Sequence, residues 1–538
     1  MELNLKNLEN REFWEEKGYI LPDFDINEVH RQTKLSPQWV HFGVGNIFRA
    51  FPASICQNLL NQGLIASGIT AVEGYDYEII EKSMKNYDNL TINVTLKSDG
   101  STSKEIIASI TEALCMTKEN EKDMERLREI FRNDSLKLAS FTITEKGYNL
   151  KDKDGKFFKN IENDFKNPPS IAESYIGKVT ALCFERFKSN KLPLTLLSMD
   201  NCSHNGTKLE KAILEFAENW IKNDFIENDF IDYIKEKISF PWSMIDKITP
   251  RPSEEVLKII QNDGIEDMSP VVTEKNTYTS PFVNGEETEY LIIENDFRNG
   301  KIPLNKSGKK GVIFTDKETV DKTEKMKVCT CLNPLHTTLA VFGCLLSYEK
   351  ISEEMKNPTL VKLIKNLSEK ESLPVVTNPG IIDPAEFLKE VITVRFPNNF
   401  MPDSPQRIAC DTSQKLSIRF GETIKAYLNS DIFDLDSLKY IPLVIAGWLR
   451  YLMGYNDKGE KFELSPDPYI EVLKPVINKI SFGENDDIEK HLPKILSDTT
   501  IFGLDLCKTP LYKKIINCFK ELNNGNDSVI NTLTKYCS

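Results

Sequence analysis

The chain has 538 residues, 40% of them hydrophobic and 28% charged, a globular composition that leaves room for two or three domains and argues against extensive disorder. Its 68 Lys and Arg against 81 Asp and Glu give a net charge of −13; with no segregated basic patch, nucleic acid is excluded as an expected partner. Apolar runs such as Leu339–Leu346 fall short of the roughly 18 residues of a membrane span, and the polar opening MELNLKNLENREFWEEKGY has no signal core, so no membrane partner and a cytoplasmic setting are expected.

In chain order, Trp39–Phe42 reads as a strand running into GVGNIFRAF (Gly43–Phe51), then a helical pattern ended by Asn61-Gln-Gly63. A second apolar run, Ile69–Val72, stops at Glu73-Gly74. Further strands are expected at Leu90–Leu96, Leu138–Thr144 and Leu194–Met199, with helical periodicity over Glu119–Phe131 and Glu173–Phe187. Strands alternating with helices predict a parallel, helix-covered sheet. Beyond about Lys317 the texture becomes helical: Val328–Tyr348, Pro358–Ser372, Pro384–Val394, Gln414–Asn429, Leu438–Leu452 and Thr509–Asn523. The turn-forming stretch FRNGKIPLNKSGKKG marks the change. The expected fold is an α/β N-terminal Rossmann-like domain with a parallel-rich sheet (1–315) and a mainly α-helical C-terminal domain (316–538).

Gly43-Val-Gly45 follows a strand and opens a helix, the context of a dinucleotide turn. The first glycine permits the tight turn and the second admits a pyrophosphate to the backbone at a helix N-terminus. Position 48, where a third glycine would stand, is Phe, so the turn alone equally suits an ordinary strand end. Glu73 either accepts ribose hydroxyls, favouring NAD over NADP, or is a loop acid; it lies 28 residues after Gly45, beyond the usual interval of about 20. The 11 cysteines are scattered, and the 5 histidines form no H-x-x-x-H or H-E-x-x-H pair, so neither a disulfide framework nor a metal site is expected.

Six segments then point the same way. VHFGVGNIFRA, TITEKGYN (Thr142–Asn149), SMDNCSHNG (Ser198–Gly206), FPWSMIDKITP (Phe240–Pro250), MKVCTCLNPLHTTLAVFG (Met326–Gly343) and RIACDTSQK (Arg407–Lys415) together resemble the polyol-specific long-chain dehydrogenases. That family holds mannitol 2-dehydrogenase and the hexuronate reductases. The resemblance runs from about residue 39 to 420. It implies an NAD-dependent, metal-independent oxidoreductase acting on CH–OH groups, with the active site between the two domains. Lys327 is implied as general acid/base, with Asn333, His336 and Asn201 beside it. Gly43, Gly45, Asn46, Ile47, Phe48, Arg49, Glu73, Glu145 and Asp200 are the expected cofactor residues, and Asp246, Arg407 and Lys415 the substrate residues.

The chemistry agrees. A secondary alcohol that loses hydride must also lose its hydroxyl proton, and without a metal a side chain must take it. A lysine can do so if burial and neighbouring cations lower its pKa. Two Asn amides converging on one oxygen would steady its developing charge, although Asn201 also suits an Asx turn and Asn333, before Pro334, suits a helix N-cap. His336, three residues on, suits a substrate hydroxyl. The family spaces its Lys and Asn by five residues, whereas Lys327 is six before Asn333; a one-residue bulge would restore the direction, and otherwise either Lys325 is the base or the register of the match is different. A hexuronate carries a carboxylate, for which Arg407 and Arg395 are the candidates. The form TCLNPLHT is nearer the hexuronate reductases, so interconversion of D-fructuronate and D-mannonate is expected. The alternatives are a mannitol or other polyol 2-dehydrogenase, a tagaturonate reductase, and an NAD-binding regulatory protein without catalysis.

Overall fold

The computed structural model describes all 538 residues and divides them into two compact units: Met1–Lys97 with Ser101–Asp321, and Ser98–Gly100 with Lys322–Ser538. The first unit is built on a six-stranded sheet of β1 (Trp39–Phe42), β2 (Ile69–Glu73), β3 (Ile110–Cys115), β4 (Leu138–Phe141), β5 (Leu194–Ser198) and β6 (Ile238–Ser239). Their spatial order is β3-β2-β1-β4-β5-β6, and every neighbouring pair is parallel. This is the doubly wound order of a Rossmann domain, whose chain reverses between β1 and β4.

The strands are buried on both faces, as such a sheet requires. Val40 and Phe42 of β1 join one hydrophobic cluster with Ala139, Phe141 and Leu196, while Trp39 joins the other with Ala71, Leu138 and Leu197. The glycine turn opens α1 (Asn46–Ala50), and the chain breaks at Phe51 before α2 (Pro52–Asn61). The helices α3 (Tyr175–Ser189) and α4 (Asn205–Lys222) cover one face. The run expected as a strand at Leu90–Leu96 forms, but outside this sheet: Thr91–Leu96 pairs antiparallel with Thr102–Ile107 and parallel with Phe282–Glu286. A three-stranded sheet, β7 (Ser243–Asp246), β8 (Tyr290–Glu294) and β9 (Val312–Thr315), completes the framework.

The second unit is helical. A helical run over Lys317–Leu345, which starts in the last residues of the first unit and bends at Leu332, is long and apolar enough to cross a membrane by length and composition, but 78% of its apolar window is buried inside the protein, as in a core helix. It consists of α5 (Lys317–Lys325), a π-helical segment Met326–Cys331, and α6 (Asn333–Leu345). Further π segments occur at Leu367–Ser372, Val391–Arg395 and Ser417–Gly421, so several expected helices are interrupted by wide turns. The short helices α7 (Pro405–Ile408) and α8 (Thr412–Leu416) lie between the π segments Val391–Arg395 and Ser417–Gly421, α8 leading directly into the latter. All 12 residues of α9 (Tyr440–Tyr451) are buried, which makes it a core element with no polar face.

Candidate active site

The first unit's candidate site lies at the carboxyl ends of its strands, where open α/β sheets bind ligands. Gly43 has φ +100°, and a Cβ there would come within 2.2 Å of the Thr142 carbonyl oxygen. Only glycine lets β1 pass β4 this closely. A Cβ on Gly45 would meet nothing within 4 Å: the turn faces open space just where a dinucleotide's pyrophosphate would need the backbone. Gly45, Asn46 and Ile47 are partly exposed. On this geometry the turn fits NAD.

Several of the residues expected at the cofactor hold the walls of this turn. Phe48 and Arg49 are fully buried. Phe48 stacks on His41 at 4.0 Å, and His41 bonds Ser140 and Thr142 of the neighbouring strand and its turn. Arg49 donates to the Ser280 carbonyl and to Asn46 Oδ1, while Asn46 donates to the Pro250 carbonyl. Glu73 accepts backbone N–H bonds from Val44, Tyr75 and Asp76, so its carboxylate ties β2 to the glycine turn; burial nevertheless pushes its pKa up. Asp200 accepts from the Ile143 and Thr144 amides and the Tyr148 hydroxyl, and burial raises its pKa too. It fixes a strained loop, since Thr144 is a β-branched residue at φ +66°. Glu145 is ion-paired with Lys208 at the surface.

Asn201 is exposed just beyond β5, and Asp246 is buried at the end of β7. Between them sits Asn205, which the sequence reading passed over. Its amide donates to the Ser198, Asp200 and Ser243 carbonyls and to Ser243 Oγ, and its Oδ1 accepts from the Gly206 and Ser243 amides. This one buried side chain therefore pins the turn that presents Asn201.

In the second unit, Lys327 lies in the π segment and is 3% exposed, whereas Lys325 is exposed. The Leu332 amide donates to the Lys327 carbonyl, an i→i+5 bond that absorbs one residue into a turn. The six-residue interval to Asn333 is thereby restored to the direction of five. Asn333 is not the N-cap: Leu332 holds that place, with Asn333 as the first helical residue of α6. The Asn333 backbone carbonyl accepts from Thr337 Oγ1, and its carboxamide makes no hydrogen bond within the protein. Capping does not compete for it, because Leu332 stands at the N-cap and Asn333 lies one residue inside the helix.

His336 packs beside Phe396. Its Nε2 is shielded from solvent without a hydrogen bond, 3.5 Å from Asp403 Oδ2. Burial, followed by the charges of Arg419, Arg407, Arg395 and Lys415, lowers its pKa to about 3; the imidazole is neutral at physiological pH. Arg407 is ion-paired with Asp403 and 60% exposed. Lys415 donates 2.5 Å to the Cys410 carbonyl, and burial followed by Arg419 lowers its pKa. Arg395 is buried in its own π segment. Arg419, absent from the sequence reading, donates to Thr337 Oγ1. Nothing in the sequence marks it out, for it precedes Phe420 in an unremarkable helical run.

The arrangement offers an open dinucleotide cradle in one unit. In the other it offers a buried lysine, an unbonded carboxamide, a neutral imidazole and a cluster of cations. Residues 37–305 match the family model of the mannitol dehydrogenase Rossmann domain, and residues 319–523 that of the mannitol dehydrogenase C-terminal domain. A D-mannonate oxidoreductase of Thermotoga maritima is 51% identical over 99% of this chain and 98% of its own length. A polyol:NADP oxidoreductase of Gluconobacter oxydans is 28% identical over 88% and 89%. Among solved structures, a substrate-free D-sorbitol dehydrogenase covers 97% of this chain and 98% of its own, with TM-score 0.79 and 25% identity. A Pseudomonas fluorescens mannitol 2-dehydrogenase in ternary complex with NAD and D-mannitol covers 99% of both chains, with TM-score 0.71 and 25% identity.

Proposed function

This chain belongs to the mannitol dehydrogenase family, and from that premise we propose that it is an NAD-dependent oxidoreductase interconverting D-fructuronate and D-mannonate. The observation that carries the sugar-acid reading is the set of four cations, Arg395, Arg407, Lys415 and Arg419, acting on His336; a neutral polyol needs no such charge, whereas a carboxylate does. The 51% identity to a D-mannonate oxidoreductase supports the same choice.

NAD, when bound, accepts or supplies the hydride at the sugar carbon. Gly43 and Gly45 admit the cofactor backbone with Asn46 and Ile47 at its edge, Phe48, Arg49, Glu73 and Asp200 holding that cradle and Glu145 flanking it. As the keto carbon receives hydride, Lys327 gives a proton to the oxygen; in oxidation its amine takes the proton back. Asn333 and Asn201 donate hydrogen bonds to the same oxygen. Neutral His336 holds a substrate hydroxyl through Nδ1, while Asp246, Arg407 and Lys415 hold the rest of the sugar. In this reading the cofactor module spans 1–315 and the substrate module 316–538. The eleven cysteines are unpaired thiols, the state a reducing cytoplasm maintains.

The test follows NADH absorbance with D-fructuronate, D-tagaturonate and D-fructose. D-fructuronate should give the highest kcat/KM, by about tenfold or more. Turnover of D-fructose without either uronate would replace the reading with a polyol dehydrogenase. NADH binding without turnover of any would favour a regulatory protein.

A further inference from the structure

We infer that Arg419 is the residue that recognises the substrate carboxylate and so selects sugar acids over polyols; this rests on the hexuronate reading above. A guanidinium removed from water is costly unless an anion or several acceptors meet it. Arg419 is largely buried, and its pKa is lowered to about 10 by burial, with no carboxylate acting in the opposite sense. Its one hydrogen bond is from Nη1 to Thr337 Oγ1. None of its remaining N–H groups is a sealed orphan, so they reach open space. This is an accessible fork of donors without an anion, the geometry that suits a carboxylate bidentately.

Its surroundings fix where that fork stands. Thr337 accepts from Arg419 and donates to the Asn333 carbonyl one turn back on α6. The guanidinium is thus tied to the turn that bears Asn333 and His336. The π segment Ser417–Gly421 that carries Arg419 packs against the π segment that carries Lys327. Among the charges acting on His336, that of Arg419 is the largest. Arg407, one of the two sequence-based candidates for this role beside Arg395, is mostly exposed and already paired with Asp403. A hexuronate's carboxylate lies at the far end of the sugar from the keto group. The carboxylate therefore needs a cation distinct from Lys327, and Arg419, on the segment packed against the one that carries Lys327, is such a cation.

The experiment compares wild type with Arg419→Gln and Arg419→Lys on D-fructuronate and on D-fructose, the same ketose without the acid. Loss of a charge-assisted bidentate pair should lower kcat/KM for D-fructuronate by about 100-fold, mainly through KM, in Arg419→Gln. The ratio of kcat/KM for D-fructuronate over D-fructose should collapse in parallel. Arg419→Lys should recover only part of the loss, since ammonium lacks the fork. The melting temperature and the NADH Kd identify a variant that has merely misfolded, and Arg419→Lys then decides on the same KM criterion. A loss confined to kcat, equal losses on both ketoses, or an unimpaired Arg419→Gln would each overturn the assignment while the hexuronate reading stands. A wild type inactive on D-fructuronate would overturn that reading and the assignment with it.

Discussion

Lys327 and Lys325 are two residues apart, yet one is 3% exposed and the other open to solvent. A proton carrier for a developing alkoxide needs a dry, fixed position, because water would otherwise compete for the oxygen. Lys327→Ala is therefore expected to lower kcat by about 10³-fold, the scale of a lost general acid/base, with NADH affinity measured by fluorescence titration unchanged. Lys325→Ala should keep most of its activity. The reverse outcome would move the proton transfer to Lys325. At this scale the sequence was informative for residues inside distinctive motifs and silent for those whose meaning comes from burial. Asn333 and His336 could be picked out from Asn-Pro-Leu-His. Asn205 and Arg419 could not, since a hub of buried acceptors and an unpaired guanidinium exist only after folding. Phe48 and Arg49 show the complementary case: a motif identified the turn, but not which of its side chains face inward.

The second unit's elements are unusual in their winding. Lys327, Arg395 and Arg419 each stand in one of its four π segments, which widen a turn and re-aim the side chains that follow. Hydrophobic periodicity reads through such segments without registering them, which is why Pro384–Val394 looked like a plain helix. The extra residue between Lys327 and Asn333 betrayed the first, because it had to be absorbed somewhere. If the π turn is only a register-neutral insertion, deleting Val328 should convert it to α-helix and leave both flanks aimed as before. That variant should melt within a few degrees of wild type and keep kcat/KM within about tenfold. A folded deletion variant as inactive as Lys327→Ala would show that the wide turn itself aims the lysine. In the first unit the strands β1, β2, β4 and β5 were legible from uninterrupted apolar runs. Ile110–Cys115, carrying Glu112 on β3, and the mixed pairing of Thr91–Leu96 were not, because edge partners are chosen by tertiary contacts.

Across the whole molecule, each unit keeps one neutral, buried histidine at its candidate site, and this links folding to pH. His41 is fully buried between Ser140 and Thr142, its pKa lowered by burial to about 3. His336 is lowered to about 3 by burial and then by Arg419, Arg407, Arg395 and Lys415, with Asp403 at 3.5 Å. Both folded values lie below the unfolded value of about 6.5. Between pH 3 and 6.5 the unfolded chain therefore binds more protons, so the stability each histidine confers is complete above that window and drains away as pH falls through it. For a single such group the loss by pH 5 is about 2 kcal/mol. Buried acids with raised pKa values, such as Glu73, Asp200 and Glu371, act in the opposite sense, so the total acid response does not report on the histidines alone; substitution isolates them. Urea unfolding at pH 7 and pH 5 should show His336→Gln losing about 2 kcal/mol less than wild type on acidification. His41→Gln should do the same for the unit that holds the glycine turn. Where the two units unfold in separate transitions, each substitution should alter the acid response of its own unit. An acid loss in His336→Gln equal to that of wild type would mean that its imidazole takes up its proton as readily in the folded state as in the unfolded chain. The cations gathered around it would then be balanced differently from the way the sugar-acid reading requires.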